Sequence, residues 1–134
     1  MEFQCDPTSR VPIYRQLIDQ VRQGIARGKL RPGVRLPSVR VLSRELVVNP
    51  NTVARAYTDL EREGMLHTRQ GLGVFVAAPQ AELSAAVRRE RFAEALERFL
   101  TEAVHLGFDA DDVIAAVAKQ IKNFHFAGAT PEKH

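Results

Sequence analysis

The side chains able to do chemistry concentrate between Leu36 and Phe75 of the 134-residue chain, and their chemistry is recognition rather than catalysis. Arg40, Asn51, Thr52, Arg55 and Arg69 carry hydrogen-bond donors of the kind that can grip phosphate oxygens or read base edges. Gln70 and Gly71 form a tip of little bulk, through which backbone can approach a phosphate or enter a minor groove. No Ser/His/Asp or Cys/His set recurs at a catalytic spacing, so no enzyme is expected. Gly71-Leu72-Gly73 is no nucleotide loop, because no strand-to-helix context or following Lys-Ser/Thr accompanies it. His105 with Asp109, Asp111 and Asp112 makes a poor metal site, since Gly107 interrupts the helical spacing and the aspartates suit helix capping. No cofactor or metal is therefore implied.

Positioning these donors is the task of two short helices and a hairpin. Asn49 can cap the second helix and Pro50 suits its first position, while Gly64 supplies its stop. Between them Val53, Ala56, Tyr57 and Leu60 make one apolar stripe, and Asn51, Thr52, Arg55 and Arg62 lie opposite. Charge is graded along the axis: Arg55 stands in the amino-terminal half, whereas Asp59, Glu61 and Glu63 crowd the other half. Only the amino-terminal half can approach a phosphate backbone cheaply. The preceding helix, from about Ser38 to Val47, turns Val39, Leu42 and Leu46 inward and Arg40 and Arg44 outward, with Ser38 as its cap. A turn of a few residues around Val48 makes the two helices cross steeply. After Gly64, Met65–Thr68 and Val74–Val76 flank two closely spaced glycines, which is a hairpin pattern. Tyr57 and Phe75 are read as packing residues.

This run, LPSVRVLSRELVVNPNTVARAYTDLEREGMLHTRQGLGVFV, resembles the winged helix-turn-helix domain of GntR-type bacterial transcription regulators. The likeness covers about Ile13 to Val76, and the short helical remainder resembles the YtrA-type branch, in which two helices make the dimer contact. The resemblance places DNA contacts on Arg40, Asn51, Thr52, Arg55, Gln70 and Gly71. It also has one departure. Many members carry an arginine directly after the Thr-Val pair, where this chain has Ala54 and sets Arg55 one step later. Whether Arg55 reads a base or meets a phosphate stays open on this basis.

The rest of the chain fits the same plan. Residues 1 to 78 hold 12 Lys+Arg against 7 Asp+Glu, a charge of +5, whereas residues 79 to 134 carry −2. The basic half is thus the half with the motif. A single Cys5 excludes an internal disulfide framework, and with no secretory signal or long apolar run the default is a soluble cytoplasmic protein without a membrane partner. Residues 1 to 10 read as a loosely held arm in which Phe3 can pack locally. Ile13, Tyr14, Leu17, Ile18, Val21 and Ile25 form a first helix starting at Pro12, and Leu30 and Leu36 plug the core from an extended connector. Beyond Ala78 a long helix from about Gln80 to Leu106 carries Leu83, Val87, Leu96, Phe99, Leu100 and Val104, and a last helix capped by Asp109 carries Val113, Ile114, Val117 and Ile121. These stripes are too large to leave in water, so a second copy of the chain is the expected cover.

The expected fold is mainly α with a small β-hairpin: residues 1–78 form the winged helix-turn-helix and residues 79–134 a helical dimerisation region with a tail. The expected function is a homodimeric, sequence-specific regulator, a repressor of a palindromic operator, with double-stranded DNA as partner. The YtrA-type resemblance implies genes for membrane transporters, and a small-molecule effector is left open. A fused pyridoxal-phosphate enzyme domain does not fit the length after Ala78. An adaptor using its helical hairpin to bind another protein is the rival, separated by salt-sensitive, sequence-selective DNA binding.

Overall fold

In the computed structural model, which describes residues 2–78 and 84–126, the apolar spacings resolve into eight elements. They are α1 (Ile13–Ala26), β1 (Arg35–Leu36), α2 (Val39–Leu46), α3 (Pro50–Arg62), β2 (Leu66–Arg69), β3 (Gly73–Val76), α4 (Ala85–His105) and α5 (Ala110–Ile121). The chain forms two compact units, Met1–Pro79 with His125–His134, and Gln80–Phe124. Among the described residues no helix is long and apolar enough to cross a membrane.

In the first unit the caps fall where the side chains demand. The Ser38 hydroxyl accepts from the Val41 N–H at 3.1 Å and opens α2, and the Asn49 side chain accepts from the Asn51 N–H at 2.8 Å and opens α3. Each satisfies a donor that a first helical turn leaves without a partner. α2 stops short of Val47, however. Val47 takes φ 56, ψ 52, the left-handed region, and its N–H turns back to the carbonyls of Arg44 and Ser43. That single reversal makes the sharp bend into α3, at a position where a β-branched residue is sterically costly.

The core gathers Leu17, Ile18 and Val21 of α1, Leu42 of α2, and Val53, Ala56, Tyr57 and Leu60 of α3, closed by Leu30, Leu36, Leu66 and Val76. Tyr57 is buried, and its hydroxyl donates to the Pro37 carbonyl at 2.7 Å, which ties α3 to the connector before α2.

Three readings of this unit need correction. The wing is a three-stranded antiparallel sheet in the order β1-β3-β2, because the connector supplies β1, pairing Arg35 with Phe75 and Leu36 with Val74. Val74 and Val76 turn inward in this register, so Phe75 faces outward and packs outside the core. The arm is also held. Phe3, only 8% exposed, enters the core, and the Gln16 and Gln20 side chains accept from the backbone N–H groups of Asp6 and Gln4 at 2.8 and 3.0 Å. Neither link is visible in a one-dimensional pattern.

In the second unit Ser84 caps α4 by accepting from the Val87 N–H at 3.1 Å. Asp109 and Asp112 form a reciprocal capping box that opens α5. The proposed start at Gln80, with Leu83, lies outside the described residues. Leu96, Phe99, Leu100 and Val104 on α4, and Ile114, Val117 and Ile121 on α5, stay exposed, while Val113 is half-buried. Val87 leaves this stripe. It stands nine residues, about two and a half turns, from Leu96 and so on the opposite side of α4. Phe92, 70% exposed and one turn before Leu96, takes its place.

Candidate nucleic-acid interface

The open face of α3 is defined by what its other face buries. With Val53, Ala56 and Leu60 fully covered, Asn51 and Arg55 project one turn apart into solvent, and Thr52 sits half-buried on the flank. The acids farther along α3 are all engaged. Asp59 pairs with Arg62 at 3.0 Å, Glu61 accepts from the Thr68 N–H and hydroxyl at 3.2 and 3.3 Å, and Glu63 takes Arg22 in a two-pronged ion pair at 2.5–2.6 Å. The Glu63 hydrogen bond holds the Arg22 guanidinium above its ordinary pKa. Glu63 and Glu61 thus anchor the carboxy-terminal half of α3 to α1 and β2, Asp59 is neutralised within the helix, and the amino-terminal half presents donors.

Arg40 projects from the first turn of α2 and is exposed. The neighbouring Ser43 is buried and donates its hydroxyl to the Arg40 carbonyl at 3.0 Å, fixing the backbone beneath that arginine. At the wing Arg69 is the last residue of β2, paired with Gly73, and the Leu72 N–H donates to the Arg69 carbonyl at 2.9 Å. Gln70 and Gly71 are the two central residues of this turn, and Gly71 at φ +78 meets the positive φ its third position requires. A Cβ at Gly71 would meet nothing within 4 Å, so the tip stands clear of the body.

Two further groupings escape sequence reading. On the outward side of the sheet His67 stacks on Phe75, with centroids 6.0 Å apart, and the Arg69 guanidinium lies 5.5 Å from the same ring. Arg35 reaches across Gly73 on that side, where an added Cβ would stand 2.8 Å from its Nε. The alternation of Arg35 with Leu36 was the available signal, too short to read alone. The second grouping joins helices: the Arg55 guanidinium lies 3.7 Å over the Tyr14 ring, and Arg15 lies 5.8 Å from it. Tyr14 sits at the edge of the α1 stripe, where periodicity does not separate packing from contact.

A family model described as bacterial regulatory proteins, gntR family, matches residues 13–76. The chain is 35% identical over 109 residues to the HTH-type transcriptional repressor YtrA of Bacillus subtilis (strain 168), covering 81% of this chain and 84% of that one. Among solved structures it is similar to a transcriptional antiterminator from Listeria monocytogenes EGD-e, with TM-score 0.71, 29% identity, and coverage of 91% and 90%. A GntR family transcriptional regulator from Listeria monocytogenes matches with TM-score 0.60, 31% identity, and coverage of 85% and 97%.

Proposed function

As the chain belongs to the GntR family of bacterial transcriptional regulators, which are DNA-binding proteins without enzymatic activity, we propose that it is a repressor that binds a palindromic operator as a homodimer. The observation that carries this reading is the division of α3: Glu63 and Glu61 are tied to α1 and β2, Asp59 is paired with Arg62 within the helix, and Asn51, Thr52 and Arg55 present donors at the other end. A helix of this polarity enters a major groove by its amino-terminal half. Arg40 and the wing residues Arg69, Gln70 and Gly71 grip beside it. Repression rests on the likeness to the YtrA repressor, and the YtrA-type resemblance points to genes for membrane transporters.

The homodimer reading rests on the uncovered stripes of α4 and α5, where Phe92, Leu96, Phe99, Leu100 and Val104 join Val113, Ile114, Val117 and Ile121. A matching pair of stripes from a second copy covers them as a helical bundle.

The test starts by selecting duplexes from a random pool with the full chain, then footprinting the selected site and the upstream region of the protein's own gene. Two half-sites about one helical turn apart are expected. Thr52→Ala and Arg55→Ala should each lower discrimination by about 1–3 kcal/mol, the range of one good base contact, and Arg62→Ala should change little. If Arg62→Ala proves as damaging, α3 is docked in the wrong sense. Leu96→Glu with Ile121→Glu should sediment as a monomer and lose the roughly hundredfold to ten-thousandfold gain from linked heads, while half-site preference survives. A dimer that persists in this variant would remove α4 and α5 from the interface.

A further inference from the structure

The Arg55 guanidinium lies over an aromatic ring carried by another helix. Tyr14 is half-buried and packed against the core of the first unit, so its ring is a fixed platform, and the guanidinium 3.7 Å above it is at stacking distance. We infer that Tyr14 is a positioning residue for DNA recognition: its ring holds the Arg55 guanidinium in the orientation in which it meets the DNA. This rests on the reading that the amino-terminal half of α3 contacts DNA.

The geometry of the two helices supports this. Tyr14 meets Arg55 and Arg22 meets Glu63, so the same stretch of chain separates the two contacts on α1 and on α3. The helices therefore run side by side in the same sense, pinned at both ends. The far contact is an ion pair at the end of α3, and the near one sets the guanidinium over the face of a ring. Stacking suits a reading residue because it covers one face of the guanidinium and leaves its N–H groups, which lie in the plane, free for a two-pronged contact. An arginine standing free in solvent would give up side-chain rotamer entropy on meeting the DNA, and a stacked one has given up part of it already. The displacement of this arginine by one position, with Ala54 in the usual place, also acquires a structural reason. One step along α3 turns a side chain by about 100° around the axis, and at Arg55 that direction brings it to the α1 side, over Tyr14.

The experiment is a double-mutant cycle on the full chain, with the selected duplex and a scrambled duplex of equal length as probes and melting temperatures as the folding control. Tyr14→Leu should weaken binding to the selected duplex about two- to fivefold relative to the scrambled one, as expected for one exposed cation–π contact. Tyr14→Phe keeps the ring and should retain the native ratio. In an Arg55→Ala background, Tyr14→Leu should have no further effect on the ratio, whatever it does to the melting temperature. Independent losses in the cycle would overturn the inference, and so would a Tyr14→Phe as damaging as Tyr14→Leu, which would assign the effect to the hydroxyl. Those results leave Thr52→Ala still impaired and the DNA reading standing. If Thr52→Ala and Arg55→Ala are both silent, the docking of α3 is wrong and the inference falls with it.

Discussion

Val47 offers the sharpest test of how the helix-turn-helix bend is made. It is a β-branched residue in the left-handed region, at φ 56, ψ 52, and the residue is 88% exposed. Exposure means that removing the side chain forfeits almost no burial, so the energetics reduce to the backbone. A left-handed conformation costs an L-residue about 1–2 kcal/mol. Glycine takes it without strain but returns about 0.5–1 kcal/mol through the larger freedom of its unfolded chain. Val47→Gly should therefore stabilise by about 0.5–1 kcal/mol, raising the melting temperature by about 2–8 °C for a unit of this size. Val47→Ala keeps a Cβ and should gain less. Circular dichroism melts of the three proteins in one buffer, with binding to a fixed duplex, supply the check, and binding should not change because the caps of α2 and α3 are untouched. A Val47→Gly protein that melts below the native one would refute the reasoning, since it would mean that the exposed side chain makes a contact worth more than the strain.

Four other outcomes follow from particular contacts. Arg22→Ala should cost no more than about 1 kcal/mol, because both partners of its ion pair are 38% exposed, and a melting difference that fails to shrink with added salt would contradict the electrostatic account. Burial pushes the Tyr57 phenol up from its ordinary value of 10.0, so its contribution is complete below that pH and is lost as pH rises beyond it; Tyr57→Phe should cost about 1 kcal/mol near neutrality and blunt the alkaline loss of stability, measured by melts from pH 8 upward. Gly73→Ala should destabilise by about 1–3 kcal/mol, since φ +130 is strained for any Cβ, and by more than Gly71→Ala; equal melting temperatures would argue against this wing geometry. If Arg40 meets only phosphate, Arg40→Ala should weaken all duplexes equally and lower the salt slope by about one unit, whereas a loss confined to the selected duplex would show that it reads a base.

What the sequence determined by itself was everything governed by local spacing and local hydrogen bonding. The caps at Ser38, Asn49 and Asp109 lie where a short polar side chain precedes an apolar period, and the stripes of α1, α3 and α5 could be read because a helix repeats on a fixed angle. The ordered run from Leu36 to Val76 was long enough to carry the family. Tertiary structure decided what depends on partners distant in the chain. The strand at Arg35–Leu36 is too short for any periodicity and exists only because β3 offers it hydrogen bonds, and that pairing turned Phe75 outward. The arm is held because Phe3 packs into the core and two glutamines of α1 satisfy its backbone. Val47 carries no left-handed signature, since valine is among the residues least suited to that conformation, and only the demand of joining α2 to α3 across so short a turn imposes it. Tyr14 and Arg55 lie forty-one positions apart, and they meet because parallel packing of α1 on α3 sets one over the other, a relation that no pattern along a single chain encodes.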